Sequence, residues 1–369
     1  MDIQSNNGVL RDRKAYIKAQ KAASGRTVLG VFPAHYPKEI LWALNILPVE
    51  IWDPPVETTR AGAHLQPYTC GIVKSGLALI LEKKWQHVDG FLFPHTCDSI
   101  QNLASMVNDY LTQDTPCFFF YHPKAPYRES SRRYYRNQLH RFLSDLESHF
   151  GPLDTQNLKH AIHQSREINN LLKKIYALRA ASMLKASNHT FYDVVRLGEY
   201  LHPDDYIPLL RQFISRSKGT SNASGLPILL SGILPAPRGM LSLLDQLSVN
   251  VVNDDYLCCQ RRIAVQYSDT QDLFDAMAAS YFAMPPCSTK GSPIADRLDY
   301  ILRLAETGRA KGILFNPLKF CEPEHFDIPQ LVHGVKKAGL AALIIESDID
   351  PGASGQLATR IEAFVEMLH

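Results

Sequence analysis

The chain reads as an α/β protein in which two parallel-sheet domains flank a helical stretch. Three observations predict this. Short apolar runs alternate with longer amphipathic ones, the pattern of strand–helix–strand units. That alternation occurs twice, on either side of a region with no β-like run. Finally, 369 residues, 45% of them apolar, exceed one ordinary core and suit two domains of roughly 150 to 200 residues.

In the first half the apolar runs predict strands at Thr27–Phe32, Val49–Trp52, Gly90–Phe93 and Pro116–Tyr121. Helices are expected at Lys38–Asn45, Gly71–Lys84 and Asp98–Leu111, with Pro37 where a first helical turn tolerates it. From Ser130 the period changes. Leu139, Phe142, Leu143 and Leu146, then Ile168, Leu171, Leu172 and Ile175, recur at helical spacing. The stretch Lys218–Gly225 is small and polar and reads as a linker. Beyond it, strands are expected at Pro227–Leu234, Val249–Asp254, Gly312–Phe320 and Ala341–Glu346, each followed by helical patterning. The predicted organisation is an N-terminal α/β domain over 1–129, a helical bridge over 130–217, a linker over 218–225 and a C-terminal α/β domain over 226–369. No residue-level repeat connects the halves.

Composition narrows the function. Thirty-nine basic residues against 37 acidic ones give a formal charge of +2, too weak a field to make nucleic acid or an anionic membrane the default partner. The longest apolar runs fall well short of the roughly 18 residues of a spanning helix. The polar opening Met1–Asn7 lacks the order of a signal peptide, so a cytoplasmic protein is expected. Seven cysteines, an odd and unevenly spaced set, fit reduced thiols or metal ligands better than a disulfide framework.

Three of these cysteines share a setting. Cys97 follows the apolar run Gly90–Phe93 and precedes an amphipathic stretch, Cys321 repeats that arrangement in the second half, and Cys70 also opens a helical stretch. Ligands of open α/β sheets gather at the carboxyl ends of strands. A helix N-terminus presents free N–H groups and partial positive charge, which favour a thiolate. By spacing alone the reading stays open, since the three match no compact zinc or ferredoxin pattern and cysteine is also an ordinary buried hydrophobe.

The surrounding words are more specific. Gly30–Ile40, continued by Asn45-Ile46-Leu47-Pro48-Val49, resembles the opening of the 2-hydroxyacyl-CoA dehydratase and benzoyl-CoA reductase subunit family. Tyr68-Thr69-Cys70-Gly71 with Ser75, Phe93-Pro94-His95-Thr96-Cys97-Asp98, and Leu318-Lys319-Phe320-Cys321-Glu322-Pro323 are similar to its three cluster-ligand segments, in order. Glu346 and Asp348, then Gly355–Phe364, resemble its C-terminal ending, so the likeness spans nearly the whole chain.

The resemblance implies two flavodoxin-like domains holding a 4Fe-4S cluster between them through Cys70, Cys97 and Cys321. Three thiolates leave one iron open to a substrate oxygen. It also implies a separate iron-sulfur ATPase as activator, which agrees with the absence of a phosphate-binding loop motif. A related second subunit, or a second copy, and an acyl-CoA substrate complete the set. The expected activity is radical-type dehydration (a lyase) or reduction (an oxidoreductase) of a CoA thioester under anaerobic conditions. The alternatives are a double-cubane-cluster reductase of small molecules and an electron-transfer relay subunit.

Other residues carry secondary expectations. Cys258 and Cys259 follow a strand of the second half and are candidates for additional ligands, although the doubled cysteine and Gln260 depart from the family's glycine-containing version. Cys117 reads as a packed strand residue, and Cys287 lies in a loop. His35 and His95, beside the site segments, are candidate proton donors or hydrogen-bond partners of the ligand residues. Arg261 and Arg262 suit either CoA phosphates or a solvated surface, and Arg132, Arg133 and Arg136 an exposed helix face.

Overall fold

The computed structural model describes residues 12–84, 87–111, 115–219, 225–263, 272–349 and 355–369. The polar opening Met1–Asn7 and residues 220–224 of the expected linker lie outside them. The chain forms two compact units. One takes in the described residues of Met1–Asn169, Leu197–Leu209 and Val265–Ala283, and the other those of Asn170–Arg196, Leu210–Ala264 and Met284–His369.

The first unit is built on a parallel sheet of β1 (Thr27–Val31), β2 (Ile46–Glu50), β3 (Gly90–Pro94) and β4 (Cys117–Phe120), in the order β2-β1-β3-β4. The second repeats the topology with β5 (Leu226–Gly232), β6 (Val249–Tyr256), β7 (Gly312–Asn316) and β8 (Ala341–Ile344), in the order β6-β5-β7-β8. Every pairing is parallel. This is an α/β fold whose order matches the flavodoxin-like sheet over four strands, and the order reverses between β1 and β3 and between β5 and β7. Central strands of such sheets are covered on both faces, so they read as unbroken apolar runs, as in Val28-Leu29 and Ile228-Leu229-Leu230.

Strand boundaries depart from the sequence expectation for identifiable reasons. The second strand starts at Ile46, ahead of the expected Val49, because Pro48 is no obstacle on an edge strand: it pairs with Leu29, and its missing N–H is not needed on the open side. The strand expected to run to Phe320 ends at Asn316. Pro317 follows, and beyond it only Leu318 bridges, to Ser347. The helix expected over Asp98–Leu111 is α-helical to Met106 and finishes in a π turn.

Crossover helices complete both units. In the first, α1 (Arg13–Ser24) is capped by the Asp12 side chain and closed by Gly25 in the left-handed region at φ 58°. It is followed by α2 (Lys38–Ala43), α3 (Gly71–Leu81) and α4 (Asp98–Met106). The expected helical stretch contains α5 (Glu129–Phe150), α6 (Thr155–Ala180), α7 (Asn188–Arg196) and α8 (Pro203–Ser217). The second half adds α9 (Arg238–Gln246), α10 (Leu273–Phe282), α11 (Ile294–Gly308), α12 (Glu322–Lys337) and α13 (Gly355–Leu368). In the second unit Ile301, Leu304, Ile328, Leu331 and Val335 of α11 and α12 bury against Leu229, Val252, Ile313 and Phe315 of the sheet. The helix α10 belongs to the first unit, where Asp272 and Asp275 pair with Arg136 of α5 and Tyr281 stacks on Tyr135 at 4.3 Å.

Gly232 ends β5 where the strand order reverses, and a Cβ there would stand 2.5 Å from the Asn316 carbonyl oxygen of β7. Because that neighbour is backbone in a paired strand, it cannot yield as a side chain does. Gly232→Ala is therefore expected to destabilise the protein by about 1–3 kcal/mol, read as a lower urea midpoint. An unchanged midpoint would mean that the two strand ends separate freely.

Candidate functional site

In a parallel β–α–β unit the helix runs back against the strands, so its N-terminus sits at their carboxyl edge. The structure puts all three site cysteines at that position. Cys70 is the N-cap of α3, Cys97 of α4 and Cys321 of α12. Cys97 and Cys321 are counterparts, each heading the helix that follows the third strand of its sheet.

On the first unit the strand-end loops are tied together. Phe32 stacks on Phe93 with ring centroids 4.7 Å apart, and the Thr96 hydroxyl donates to the Pro33 carbonyl at 2.6 Å. Lys124, past the end of β4, donates to the carbonyls of His95 and Thr96 at 3.3 and 2.9 Å. Ala34 and His35 both hold left-handed backbone, φ 79° and 59°, which costs non-glycine residues energy and persists only where the surroundings impose it. These bonds place His35 in the loop after β1, and His95, Thr96 and Cys97 in the loop after β3.

The expectation of an acidified thiol fails at Cys97. Burial pushes that thiol up, and the N–H groups of Ile100 and Ser99 pull it only part of the way back. A thiolate there needs a positive partner beyond the helix terminus, and binding a metal would displace the proton. His95 is held below its ordinary value by burial and by Lys124, with Nε2 3.8 Å from the Asp98 carboxylate. Both influences favour its neutral form, which keeps one ring N–H and one bare nitrogen.

The same edge holds a histidine that the sequence reading passed over. His122 follows β4, is 3% exposed, and lies 5.1 Å ring to ring from His35. The Tyr281 hydroxyl gives its hydrogen to the Pro123 carbonyl at 2.8 Å, so the 2.9 Å contact with His122 takes its hydrogen from Nδ1. Nε2 then carries a bare lone pair, and it has no hydrogen-bond partner among the described residues. Burial and His35 hold this ring well below its ordinary pKa. The signal was positional: His122 stands just past a strand end, as His95 does.

On the second unit, two buried polar clusters form around the end of β6. Asp254 accepts from the hydroxyls of Tyr176 and Tyr192 at 2.7 and 3.1 Å, and from the N–H groups of Tyr256 and Gln260. Beside it Cys258 and Cys259 are fully buried with sulfurs 3.5 Å apart, and burial together with Cys258 pushes the Cys259 thiol far up. The second cluster centres on Arg261 and Arg297, paired with Asp255 and Glu324. Arg261 therefore serves neither CoA phosphates nor a solvated surface, since all its nitrogens are spent inside the unit. Cys287 heads the short helix Ser288–Lys290 and is fully buried, its sulfur 3.1 Å from both Arg261 Nη1 and Thr289 Oγ1. Against its burial, Arg261 and Arg297 pull its thiol down.

Cys117, expected to pack in its strand, is half-buried at the start of β4. Arg132 and Arg133 are exposed on α5 as expected, and Arg136 meets the acids of α10. Among the described residues no three His, Cys, Asp or Glu side chains stand within reach of one metal ion, and no helix is long and apolar enough to cross a membrane.

Burial raises Asp254 from 3.8 to about 6 despite its four donors. Its folded value exceeds the unfolded one, so the fold retains a proton that the unfolded chain has released. Stability contributed this way is complete below 3.8 and is lost as pH rises toward 6. Asp254→Asn, with the tyrosine hydroxyls turned to accept from its amide, should reduce the loss of unfolding free energy between pH 4 and 7 by on the order of 1–3 kcal/mol. Urea titrations at the two pH values measure it, and equal losses in both proteins would contradict the raised carboxyl.

Comparison with known proteins gives the family. The chain is 24% identical to the (R)-phenyllactyl-CoA dehydratase beta subunit of Clostridium sporogenes, covering 98% of this chain and 96% of that one. It is 24% identical to the lactoyl-CoA dehydratase subunit beta of Anaerotignum propionicum, covering 94% and 93%. To a benzoyl-CoA reductase subunit of Thauera aromatica it is 24% identical, over 85% of this chain and 83% of that one. The family model for the 2-hydroxyglutaryl-CoA dehydratase D-component matches residues 33–368, nearly the whole chain with all three helix-capping cysteines inside. The chain belongs to the 2-hydroxyglutaryl-CoA dehydratase D-component family.

Proposed function

We propose that this chain is the iron-sulfur subunit of an ATP-activated CoA-thioester dehydratase or reductase, with Cys70, Cys97 and Cys321 as the protein ligands of a 4Fe-4S cluster. The observation that carries the reading is the shared local setting of the three cysteines. Each caps a crossover helix at the carboxyl edge of a parallel sheet. Family membership supports it, as do the dehydratase and reductase subunits to which the chain is similar along almost all its length.

The donor set fits the group. Three thiols at helix N-termini offer soft ligands backed by N–H groups that favour the anionic form, as Ser99 and Ile100 do toward Cys97. A cluster held by three thiolates supplies low-potential electrons and one iron whose open position can act as a Lewis acid. The chain's own residues orient and shield. The Thr96–Pro33 bond and the Lys124 clamp hold the Cys97 loop. The exposed rings of Tyr68 and Phe320 flank Cys70 and Cys321 in sequence, and His95, held toward its neutral form, lies two residues before Cys97.

The assembly includes a second, related subunit, in keeping with the beta-subunit names of the relatives, or a second copy of this chain. A separate iron-sulfur ATPase delivers the electron, an acyl-CoA is the substrate, and the work is done in an anaerobic cytoplasm without nucleic acid or membrane.

Protein purified without oxygen is expected to carry about four iron and four sulfide per chain. Cys70→Ser, Cys97→Ser and Cys321→Ser should each lose most of that iron. Full iron and an unchanged visible spectrum in the triple variant would overturn the reading. A count near eight would instead favour the double-cubane reductase. A cluster EPR signal that candidate acyl-CoAs leave unchanged would mark an electron relay.

A further inference from the structure

The cluster around Glu324 is an unusual place to bury charge. Glu324 lies in the first turn of α12, and its N–H, with that of His325, bonds the Cys321 carbonyl at 3.1 and 3.0 Å. Its carboxylate is 1% exposed and ends at the meeting point of three other segments. Oε1 accepts from Arg261 Nη1 and Nη2 at 3.1 Å each and from the Ser288 hydroxyl at 2.6 Å, and Arg297 Nη2 lies 3.3 and 3.4 Å from the two oxygens. The arginines are fixed in turn. Arg261 Nε donates to the Asp255 carbonyl, and Nη2 donates to the Gly232 carbonyl. Arg297 Nη1 donates to Asp327 at 2.6 Å, and Asp255 accepts from Ser231 at 2.9 Å.

Burying such a set costs several kcal/mol per ion in desolvation, and hydrophobic replacements of similar volume are often no less stable. Net stability is therefore a poor account of it. What the cluster does geometrically is clear. It ties the first turn of α12 to the ends of β5 and β6, to the turn at Ser288 and to α11, one turn from Cys321. On the other side of that cysteine, Lys319 N–H donates to the Ser347 carbonyl, Ser347 N–H to the Pro317 carbonyl, and Cys321 N–H to the Leu318 carbonyl. Phe320 between them holds left-handed backbone at φ 61°.

We propose that Arg261, Arg297, Ser288 and Glu324 are positioning residues for Cys321, fixing the direction of its sulfur through the first turn of α12. This rests on the reading of Cys321 as a cluster ligand. The cluster acts as an outer support, comparable to the hydrogen-bond partners that orient metal ligands elsewhere.

The test uses the full chain, purified without oxygen and loaded with iron and sulfide. Glu324→Gln removes the charge at constant shape, and Ser288→Ala removes a single hydrogen bond in case the first variant fails to fold. Tyr176→Phe, which cuts one bond to Asp254 in the other buried cluster of the same unit, serves as a control for general destabilisation. Iron release to a chelator should be roughly ten-fold faster in Glu324→Gln and faster in Ser288→Ala, with an altered cluster EPR signal in both. The Tyr176→Phe protein should match the parent in both readouts. The proposal is overturned if Ser288→Ala and any folded Glu324→Gln protein release iron at the parental rate with the parental spectrum, or if Tyr176→Phe changes both as much. Cys321→Ser, run in parallel, separates the two levels: full iron there removes the ligand assignment itself, whereas lost iron with parental Glu324→Gln and Ser288→Ala removes only the positioning role.

Discussion

The pairing of β1 with β3 and of β5 with β7 is the constraint on which the rest of each unit depends. Parallel neighbours need a crossover, and the crossover helix must return along the sheet so that its N-terminus comes back to the carboxyl edge. Once the third strand pairs beside the first, the residue that opens the following helix lies where the strand order reverses. Cys97 and Cys321 hold that residue in the two units. Their equivalence follows from connectivity and does not need a repeated sequence.

The units differ in how they hold that edge. In the first, short loops are laced by neutral or singly charged groups: Thr96 to Pro33, Lys124 to two carbonyls, Tyr281 to His122 and Pro123. In the second, the edge is fixed by buried ions, with two arginines shared among Asp255, Glu324 and Asp327. The arginines hold Glu324 at about 2, below its ordinary 4.5, against a burial that would raise it. Its contribution to stability is thus complete above 4.5 and lost only as pH falls toward 2. Asp254, backed by hydroxyls and amides without a cation, moves the other way. The neighbouring carboxylates Asp254 and Asp255 thus sit in different electrostatic surroundings, one among tyrosines and one among arginines.

Much of this was legible residue by residue. The apolar runs located the eight strands of the described residues within a few residues, most firmly the central ones, because a strand covered on both faces must be apolar throughout. Their misplaced ends trace to prolines, Pro48 tolerated on an open edge and Pro317 ending a ladder. The cysteines at helix starts were visible as a strand run, a thiol and an amphipathic run in succession. The burial of Arg261 was not legible, because the partners that make it tolerable, Asp255 and Glu324, come from a strand end and a distant helix. His122 escaped for a similar reason, since its significance lies in Tyr281, which α10 brings against the strand ends.

Local chemistry in the chain was enough to specify the α/β class, the places of strands and helices, and which cysteines open a helix, since periodicity and adjacent residues act over a few positions. The strand order of each sheet, the protonation of Cys97, His122 and Asp254, and the ion cluster beneath Cys321 were settled by folding. Each depends on dielectric surroundings and on partners far apart in the chain, and those come into being when the backbone closes around them.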